Sequence, residues 1–237
     1  MNLLFTLADW IWPPKCIGCN ALLSLGESKN KYFCETCNAL FEPVSGSLCL
    51  ICGKPFSDAL VCVECSRVDF AFSKHKAVFL YDGITRQILF DIKFKNKRRS
   101  ADGLAVKLEE YAPRLEYDLV TAVPMNARKE FARGFNQSVI LAKRFATARK
   151  LKYEDLLSRK KYTLPQMGLS PIERQNNIRG AFVLLKNANI KKLKILIIDD
   201  IYTTGITLNE CARILKSEGA ALVDGLSLSI TKSNAQN

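Results

Sequence analysis

The sequence predicts an α/β domain, with a parallel sheet flanked by helices, behind a small cysteine-rich module. Apolar runs that end in polar loops alternate with segments of helical periodicity, as in chains whose strands and helices alternate. Eight of the nine cysteines fall within residues 16–65. We therefore expect the cysteine module over residues 1–70 and the α/β domain over residues 71–237, a division that suits a chain of 237 residues.

The composition is that of a folded, basic protein. Hydrophobic residues make up 48% of the chain and charged residues 24%, which is ordinary for a globular protein. Lys and Arg outnumber Asp and Glu by 35 to 23, and the formal net charge is +12. This charge favours polyanionic partners, but it does not distinguish nucleic acid from phosphorylated metabolites or a membrane surface. A single histidine and the lack of a Gly-x-Ser-x-Gly motif argue against a triad hydrolase.

The first twelve residues are apolar without resembling a secretion signal. No basic residue opens this run, and Asp9 interrupts it. No stretch of the sequence reaches the roughly 18 apolar residues that a membrane-spanning helix requires. We therefore expect a cytoplasmic protein without a transmembrane segment.

The clustered cysteines form four Cys-x-x-Cys pairs, each able to aim two thiolates at one centre. Two such pairs complete a tetrahedral Zn²⁺ site without an open position, so we expect one or two structural zinc ions. A disulfide framework is disfavoured without a secretion signal, and iron–sulfur ligands are usually spaced differently. Sequential pairing and interleaved pairing both fit the spacing. In the sequential arrangement the two sites are Cys16, Cys19, Cys34 and Cys37, and Cys49, Cys52, Cys62 and Cys65.

Two further residues receive structural interpretations. Cys211 shares a helical pattern with Leu208 and Leu215, which predicts a buried, inert thiol. His75 precedes an apolar stretch, and we expect it to be a surface or structural residue.

The strongest chemical motif is a strand, a polar loop and a helix near the C-terminus. The apolar run 195–198 predicts a buried parallel strand, and the helical pattern that follows ends near Gly219. This arrangement aims backbone N–H groups at a phosphate, although neither a Walker loop nor Gly-x-Gly-x-x-Gly is present. The candidate binding residues of the loop are Tyr202, Thr203, Thr204, Gly205, Ile206 and Thr207.

Asp199 and Asp200 stand directly before this loop, where they would repel a phosphate unless another group lay between. A ribose is such a group, because carboxylates accept hydrogen bonds from its hydroxyls while the 5′-phosphate occupies the loop. Mg²⁺ can bridge the remaining oxygens. The segment 197–207 resembles the phosphoribosyl pyrophosphate motif of type I phosphoribosyltransferases, so the two aspartates are the candidate catalytic residues.

Other segments extend this site. A second strand is predicted over 117–124. Arg128, Lys129 and Arg133 follow it in a loop that could bind pyrophosphate; a solvated basic helix face is the alternative. The polar segment 166–177 predicts a loop that closes over substrate, with Arg174 as its best phosphate ligand and Arg179 as an alternative. The last predicted strand covers 221–230.

Taken in order, five segments resemble the ComF family over nearly the whole chain: the cysteine module, 93–95, 133–137, 174–182 and the Asp199 loop. The resemblance implies a type I phosphoribosyltransferase-like fold and a role in natural competence and the handling of incoming single-stranded DNA. It also implies phosphoribosyl pyrophosphate and DNA-uptake proteins as partners, with an unknown acceptor. Whether the protein is an enzyme stays open at this point.

The rival hypothesis is a non-catalytic single-stranded DNA-binding or adaptor protein that uses a degenerate phosphoribosyl site. The segment 93–99, Lys-Phe-Lys-Asn-Lys-Arg-Arg, mixes charge with an aromatic ring, a combination that would follow a phosphate backbone and stack on a base. A solvated basic turn explains it equally well. A structural partner of uptake proteins, docked through the cysteine module, is a third possibility.

Overall fold

The computed structural model describes residues 13–23, 31–56, 60–113, 116–160, 178, 180–185 and 189–232. Its helices are α1 (Glu35–Ala39), α2 (Val63–Ser66), α3 (Gly83–Lys95), α4 (Arg98–Tyr111), α5 (Ala127–Arg133), α6 (Gln137–Arg149) and α7 (Ile206–Ser217). Its strands are β1 (His75–Leu80), β2 (Leu119–Ala122), β3 (Lys152–Tyr153), β4 (Leu157–Arg159), β5 (Phe182–Leu184), β6 (Lys194–Tyr202) and β7 (Leu222–Ile230).

A five-stranded sheet in the order β1-β7-β6-β2-β3 forms the centre of the fold, and all its neighbouring strands are parallel. Helices α3, α4 and α6 pack on one face, and α7 packs on the other with the antiparallel pair β4–β5. Both faces are therefore covered, as parallel sheets require. The predicted α/β fold class with a parallel sheet is confirmed.

Residues 195–198 of strand β6 are all apolar, so both faces of this strand must be covered. Its place in the middle of the sheet, with helices on each side, provides that burial. All four of these residues are fully buried, with Leu196 and Ile198 on one face and Ile195 and Ile197 on the other. The predicted helix after the loop is α7, and Gly219 adopts a φ of +95° just after its end. The predicted strands are confirmed as β2, which stops two residues before Pro124, and β7.

The cysteine module contacts the free edge of the sheet and the helices beside it. Pro43 bridges to Phe79 of β1 in antiparallel register, and the amide of Val44 donates to the carbonyl of Val78 at 2.9 Å. Arg99 of α4 donates to the carbonyls of Lys15 and Lys31 at 3.2 and 2.6 Å. Arg99 therefore anchors the module, although the sequence suggested it for DNA contact.

No helix within the described residues is both long enough and apolar enough to cross a membrane.

Candidate functional site

A cleft of about 790 Å³ opens at the carboxyl ends of β2 and β6. Ligands of open parallel sheets bind at this end of the strands. Of the described residues that line the cleft, two are carboxylates, Asp199 and Asp200, and four are cations. The cations are Lys93, Lys129, Arg133 and Arg159. The cleft is therefore positively charged around a central acidic pair, which suits an anionic ligand that also carries hydroxyl groups.

Asp200 is 6% exposed and is held by two side chains from different helices. Lys93 Nζ of α3 lies 2.9 Å from its Oδ2, and Gln137 Nε2 of α6 donates to the same oxygen at 2.9 Å. Burial is the largest single effect and raises the pKa of Asp200, but the Lys93 charge and the hydrogen bonds from Lys93 and Gln137 together outweigh burial and lower the pKa. Asp200 is thus an ionised acceptor at neutral pH.

Asp199 is in a different electrostatic state. Its Oδ1 accepts hydrogen bonds from Ser138 Oγ at 2.9 Å and from the amide of Asp200 at 2.8 Å. Burial, together with the charge of Asp200, nevertheless raises the pKa of Asp199 to about 7. Two adjacent carboxyl groups with such separated pKa values mark a candidate functional site.

Residues 133–137 position the Asp199–Asp200 pair through a series of hydrogen bonds. Gly134 has a φ of +80° and ends α5, while Asn136 caps α6 by accepting from the amide of Ser138 at 3.0 Å. The Asn136 Nδ2 group also donates to the carbonyl of Val123 at 3.1 Å, which ties the cap to the end of β2. Arg133 donates to Gln137 Oε1 at 2.5 Å, and Gln137 in turn holds Asp200.

The loop after β6 has the geometry of a phosphate cradle. Gly205 adopts a φ of +77° and begins α7, whose first turn has no side-chain cap within the described residues. The backbone N–H groups there are directed toward the cleft end of the helix. Five of the six predicted loop residues line the cleft, and Thr204 does not: the lining residues are Tyr202, Thr203, Gly205, Ile206 and Thr207.

Tyr202, Arg133 and Arg128 differ in their positions relative to the cleft. Tyr202 is 5% exposed, and its ring lies against His75 rather than extending into solvent. Arg133 lines the cleft, whereas Arg128 is exposed on α5 outside the lining. Arg174, Arg179 and the predicted loop 166–177 lie outside the described residues.

Four contributors to the site were not assigned from the sequence: Lys93, Gln137, Ser138 and Arg159. Lys93 and Gln137 stand in segments that carry the family resemblance, so a signal for them existed. Arg159 carried no local signal, since it lies in the short strand β4 and reaches the cleft only through the fold. Partial burial, followed by repulsion from Arg159, lowers the pKa of Lys129.

The eight clustered cysteines form two four-thiol groups in sequential order, so the interleaved pairing is wrong. All the cysteines are free of disulfides. The sulfurs of Cys19 and Cys34 lie 3.8 Å apart, and those of Cys52 and Cys62 lie 3.7 Å apart. Four sulfurs at a Zn–S distance of about 2.3 Å would be separated by about 3.8 Å. Both groups therefore fit a tetrahedral structural zinc ion.

Cys211 and His75, the two residues with structural interpretations, are both buried. Cys211 is fully buried, as predicted. His75 is only 3% exposed, so the surface interpretation is wrong. Its Nδ1 lies 2.8 Å from the carbonyl oxygen of Cys52 and its Nε2 lies 3.0 Å from Ser227 Oγ, which makes it a buried structural residue.

Comparisons with known proteins agree with the two parts of the chain. Residues 7–66 match a double zinc ribbon domain, and residues 132–229 match a phosphoribosyl transferase domain. The fold and the site thus define a phosphoribosyltransferase-type domain joined to a zinc-ribbon module. The chain is 30% identical to the DNA utilization protein YhgH of Salmonella typhimurium, over 75% of this chain and 81% of that protein. It is 26% identical to the competence protein ComFC of Bacillus subtilis, over 79% of each.

The chain belongs to the ComF family. Two solved structures resemble part of it. Glutamine phosphoribosylpyrophosphate amidotransferase from B. subtilis is 21% identical with a TM-score of 0.38, over 54% of this chain and 25% of that chain. Purine phosphoribosyltransferase from Pyrococcus horikoshii is 21% identical with a TM-score of 0.33, over 58% of this chain and 75% of that chain.

Proposed function

We propose that the cleft binds phosphoribosyl pyrophosphate and that the protein transfers or holds its phosphoribosyl group. The observation that carries this proposal is the acidic pair in a cleft lined by four cations, beside the helix start at Gly205. One carboxyl group of the pair is ionised, and the pKa of the other is raised to about 7. A ribose between two charged phosphate groups matches this order of acceptors and donors.

The 5′-phosphate is assigned to the loop 203–207. The backbone N–H groups at the start of α7 and the hydroxyls of Thr203 and Thr207 would donate to its oxygens. The helix is twelve residues long, so its dipole also favours an anion there.

The ribose hydroxyls are assigned to Asp199 and Asp200, and the pyrophosphate to the cations across the cleft. Lys129, Arg133 and Arg159 also line the cleft, and they would bind the pyrophosphate. Hard oxygen ligands suit Mg²⁺. Groups of three or more metal-binding side chains within the described residues are confined to the cysteines, so Mg²⁺ would take most of its ligands from the donor and water.

The chemistry of the transfer would be displacement at C1 of the ribose. The sugar becomes cationic as the bond to pyrophosphate breaks, and the charge of Asp200 stabilises this transition state. The acceptor supplies the nucleophile, so the protein needs none. Closure of residues 166–177 over the site, which would exclude water, remains a prediction from the sequence.

Calorimetric titration of phosphoribosyl pyrophosphate with Mg²⁺ tests the proposal. The wild type should bind at pH 8, where both aspartates are ionised, and Asp199→Asn/Asp200→Asn should lose binding by at least about a hundredfold, since two ribose hydroxyls lose charged acceptors. Asp155→Asn provides a control carboxylate outside the cleft lining. Equal affinity of the wild type and the double variant would refute the assignment.

We propose a cellular role in the handling of incoming single-stranded DNA. The support is membership of a family whose relatives are named competence and DNA utilization proteins.

Direct DNA binding is a second candidate function, and it is favoured by an aromatic pair on α3. Phe90 and Phe94 are 52% and 62% exposed, with ring centroids 4.5 Å apart. Phe94 lines the donor cleft, and Phe90 lines a neighbouring groove of about 470 Å³ with Arg86. Exposed rings beside a cation would stack on bases and attract the backbone.

The basic cluster 93–99 supports this binding less than its sequence suggests, because Lys95 and Lys97 both pair with Asp91. Fluorescence anisotropy with a labelled single-stranded oligonucleotide separates the contributions. Phe90→Ala/Phe94→Ala should weaken binding by about thirtyfold or more, because each stacked base contributes roughly 1–3 kcal/mol. Leu60→Ala, at an exposed side chain of the cysteine module, should leave the affinity unchanged. Equal loss in both variants would refute an aromatic track.

A further inference from the structure

The second cysteine site and the candidate phosphate loop both pack on the same buried apolar cluster. Cys49, Cys52, Cys62 and Cys65 belong to the same apolar cluster as Tyr202, Leu208 and Cys211. Tyr202 ends β6 and Leu208 lies in the first turn of α7, so the cluster contacts the loop from both sides.

His75 is the connection on the cysteine side. Its ring nitrogen Nδ1 hydrogen-bonds to the carbonyl of Cys52 at 2.8 Å, and its amide donates to the carbonyl of Ile51 at 2.6 Å. Gly53 has a φ of +70°, and a Cβ there would lie 2.9 Å from the His75 carbonyl oxygen. The turn that presents Cys52 is therefore packed directly on the start of β1.

Tyr202 is the connection on the loop side. Its ring stacks on His75 with centroids 4.0 Å apart and planes 21° apart. Its hydroxyl lies beneath Gly205, so closely that a Cβ at that position would collide with it. The left-handed turn that begins α7 therefore rests on the Tyr202 ring. A second contact joins the segment before β1 to α7: the amide of Ala71 donates to Asn209 Oδ1 at 2.7 Å.

The first cysteine site lies elsewhere. Cys16 and Cys37 belong to the apolar cluster on the opposite face of the sheet. Gln87 of α3 donates to the carbonyl of Gly18 at 3.2 Å. This site is thus packed on helices α3 and α4 and provides a natural control for the second one.

We infer that the second cysteine site, through His75 and Tyr202, positions the phosphate loop 203–207, and that the first cysteine site does not. Tyr202 then acts through its ring as a positioning residue and not through its hydroxyl as a ligand. The effect on donor affinity rests on the proposed function, whereas the effect on the order of the loop does not.

Matched cysteine variants test the inference. Cys65→Ser and Cys19→Ser should each lose one of the two zinc ions, measured by metal analysis. Donor affinity with Mg²⁺ should fall by about tenfold in Cys65→Ser, and it should stay within about twofold of the wild type in Cys19→Ser. Equal losses in the two variants would overturn the inference.

Hydrogen exchange of the Asn209 amide, which donates to the carbonyl of Gly205 in the loop at 2.8 Å, supplies a readout independent of donor binding. Exchange should speed up in Cys65→Ser and stay unchanged in Cys19→Ser. If the wild type fails to bind the donor, the proposed function fails, and the exchange result still decides the inference. Unchanged exchange in Cys65→Ser would overturn it.

Tyr202 variants keep the inference testable should Cys65→Ser fail to fold. Tyr202→Phe keeps the stacked ring, so its zinc content, Asn209 amide exchange and donor affinity should match the wild type. Tyr202→Leu removes the ring, so it should keep both zinc ions while exchange of the Asn209 amide speeds up and donor affinity falls. Loss of affinity in Tyr202→Phe, with unchanged Asn209 amide exchange, would show a direct ligand and overturn the positioning role.

Discussion

Replacing Lys93 with Met should destabilise the protein by leaving a buried carboxylate without its ion pair. Asp200 has an 8% exposed side chain, and its Oδ2 lies 2.9 Å from Lys93 Nζ. Breaking a fully buried pair costs about 3–5 kcal/mol. Because the Lys93 side chain is 30% exposed and Gln137 remains as a donor, we expect Lys93→Met to lower the free energy of unfolding by about 2–3 kcal/mol at pH 8.

Urea unfolding followed by circular dichroism measures this loss, with Lys95→Met as the control. Lys95 is two residues away on the same helix, its side chain is 57% exposed, and Lys97 still pairs with Asp91 when Lys95 is removed. Exposed pairs contribute about 0–1 kcal/mol, so Lys95→Met should be nearly neutral.

A second substitution tests the cause of the loss. Adding Asp200→Asn to Lys93→Met removes the uncompensated charge, so the double variant should be more stable than Lys93→Met alone. Equal stability of Lys93→Met and Lys95→Met, or a double variant less stable than Lys93→Met, would refute the reasoning.

Three further predictions concern the aspartate pair, the loop and the cysteine sites. Asp199 keeps its proton up to about pH 7 in the folded state but loses it near pH 4 when unfolded, so stability should fall as pH rises from about 4 to 7. Asp199→Asn should flatten that slope in urea titrations at several pH values. Gly205→Ala should cost about 1–3 kcal/mol in the same assay, because its φ is +77° and Tyr202 fills the space a Cβ needs. A strong chelator should lower the thermal midpoint by about 10 °C or more, and added Zn²⁺ should restore it.

The central strand and its loop were predictable because their signals are local. An unbroken apolar run requires burial on both faces, and the adjacent Asp199, Asp200 and Gly205 mark its functional end. The Cys-x-x-Cys spacing likewise predicted four-thiol groups, whereas their number and the choice between sequential and interleaved pairing needed the structure.

The rest of the site depends on contacts between distant segments. Lys93 reaches Asp200 from more than a hundred residues away, and Arg159 enters the cleft from a three-residue strand. The inward orientation of Tyr202 depends on His75, whose burial follows from the docking of the cysteine module. Sequence periodicity records which residues share a face, but it does not record which partner meets that face.

The most direct test of the central claim is a crystal structure of the protein with phosphoribosyl pyrophosphate and Mg²⁺. The account predicts the ribose hydroxyls on Asp199 and Asp200, the 5′-phosphate on residues 203–207 and the pyrophosphate beside Lys129 and Arg159. A donor bound in the cleft with its ribose away from the aspartates, or bound outside the cleft, would contradict it.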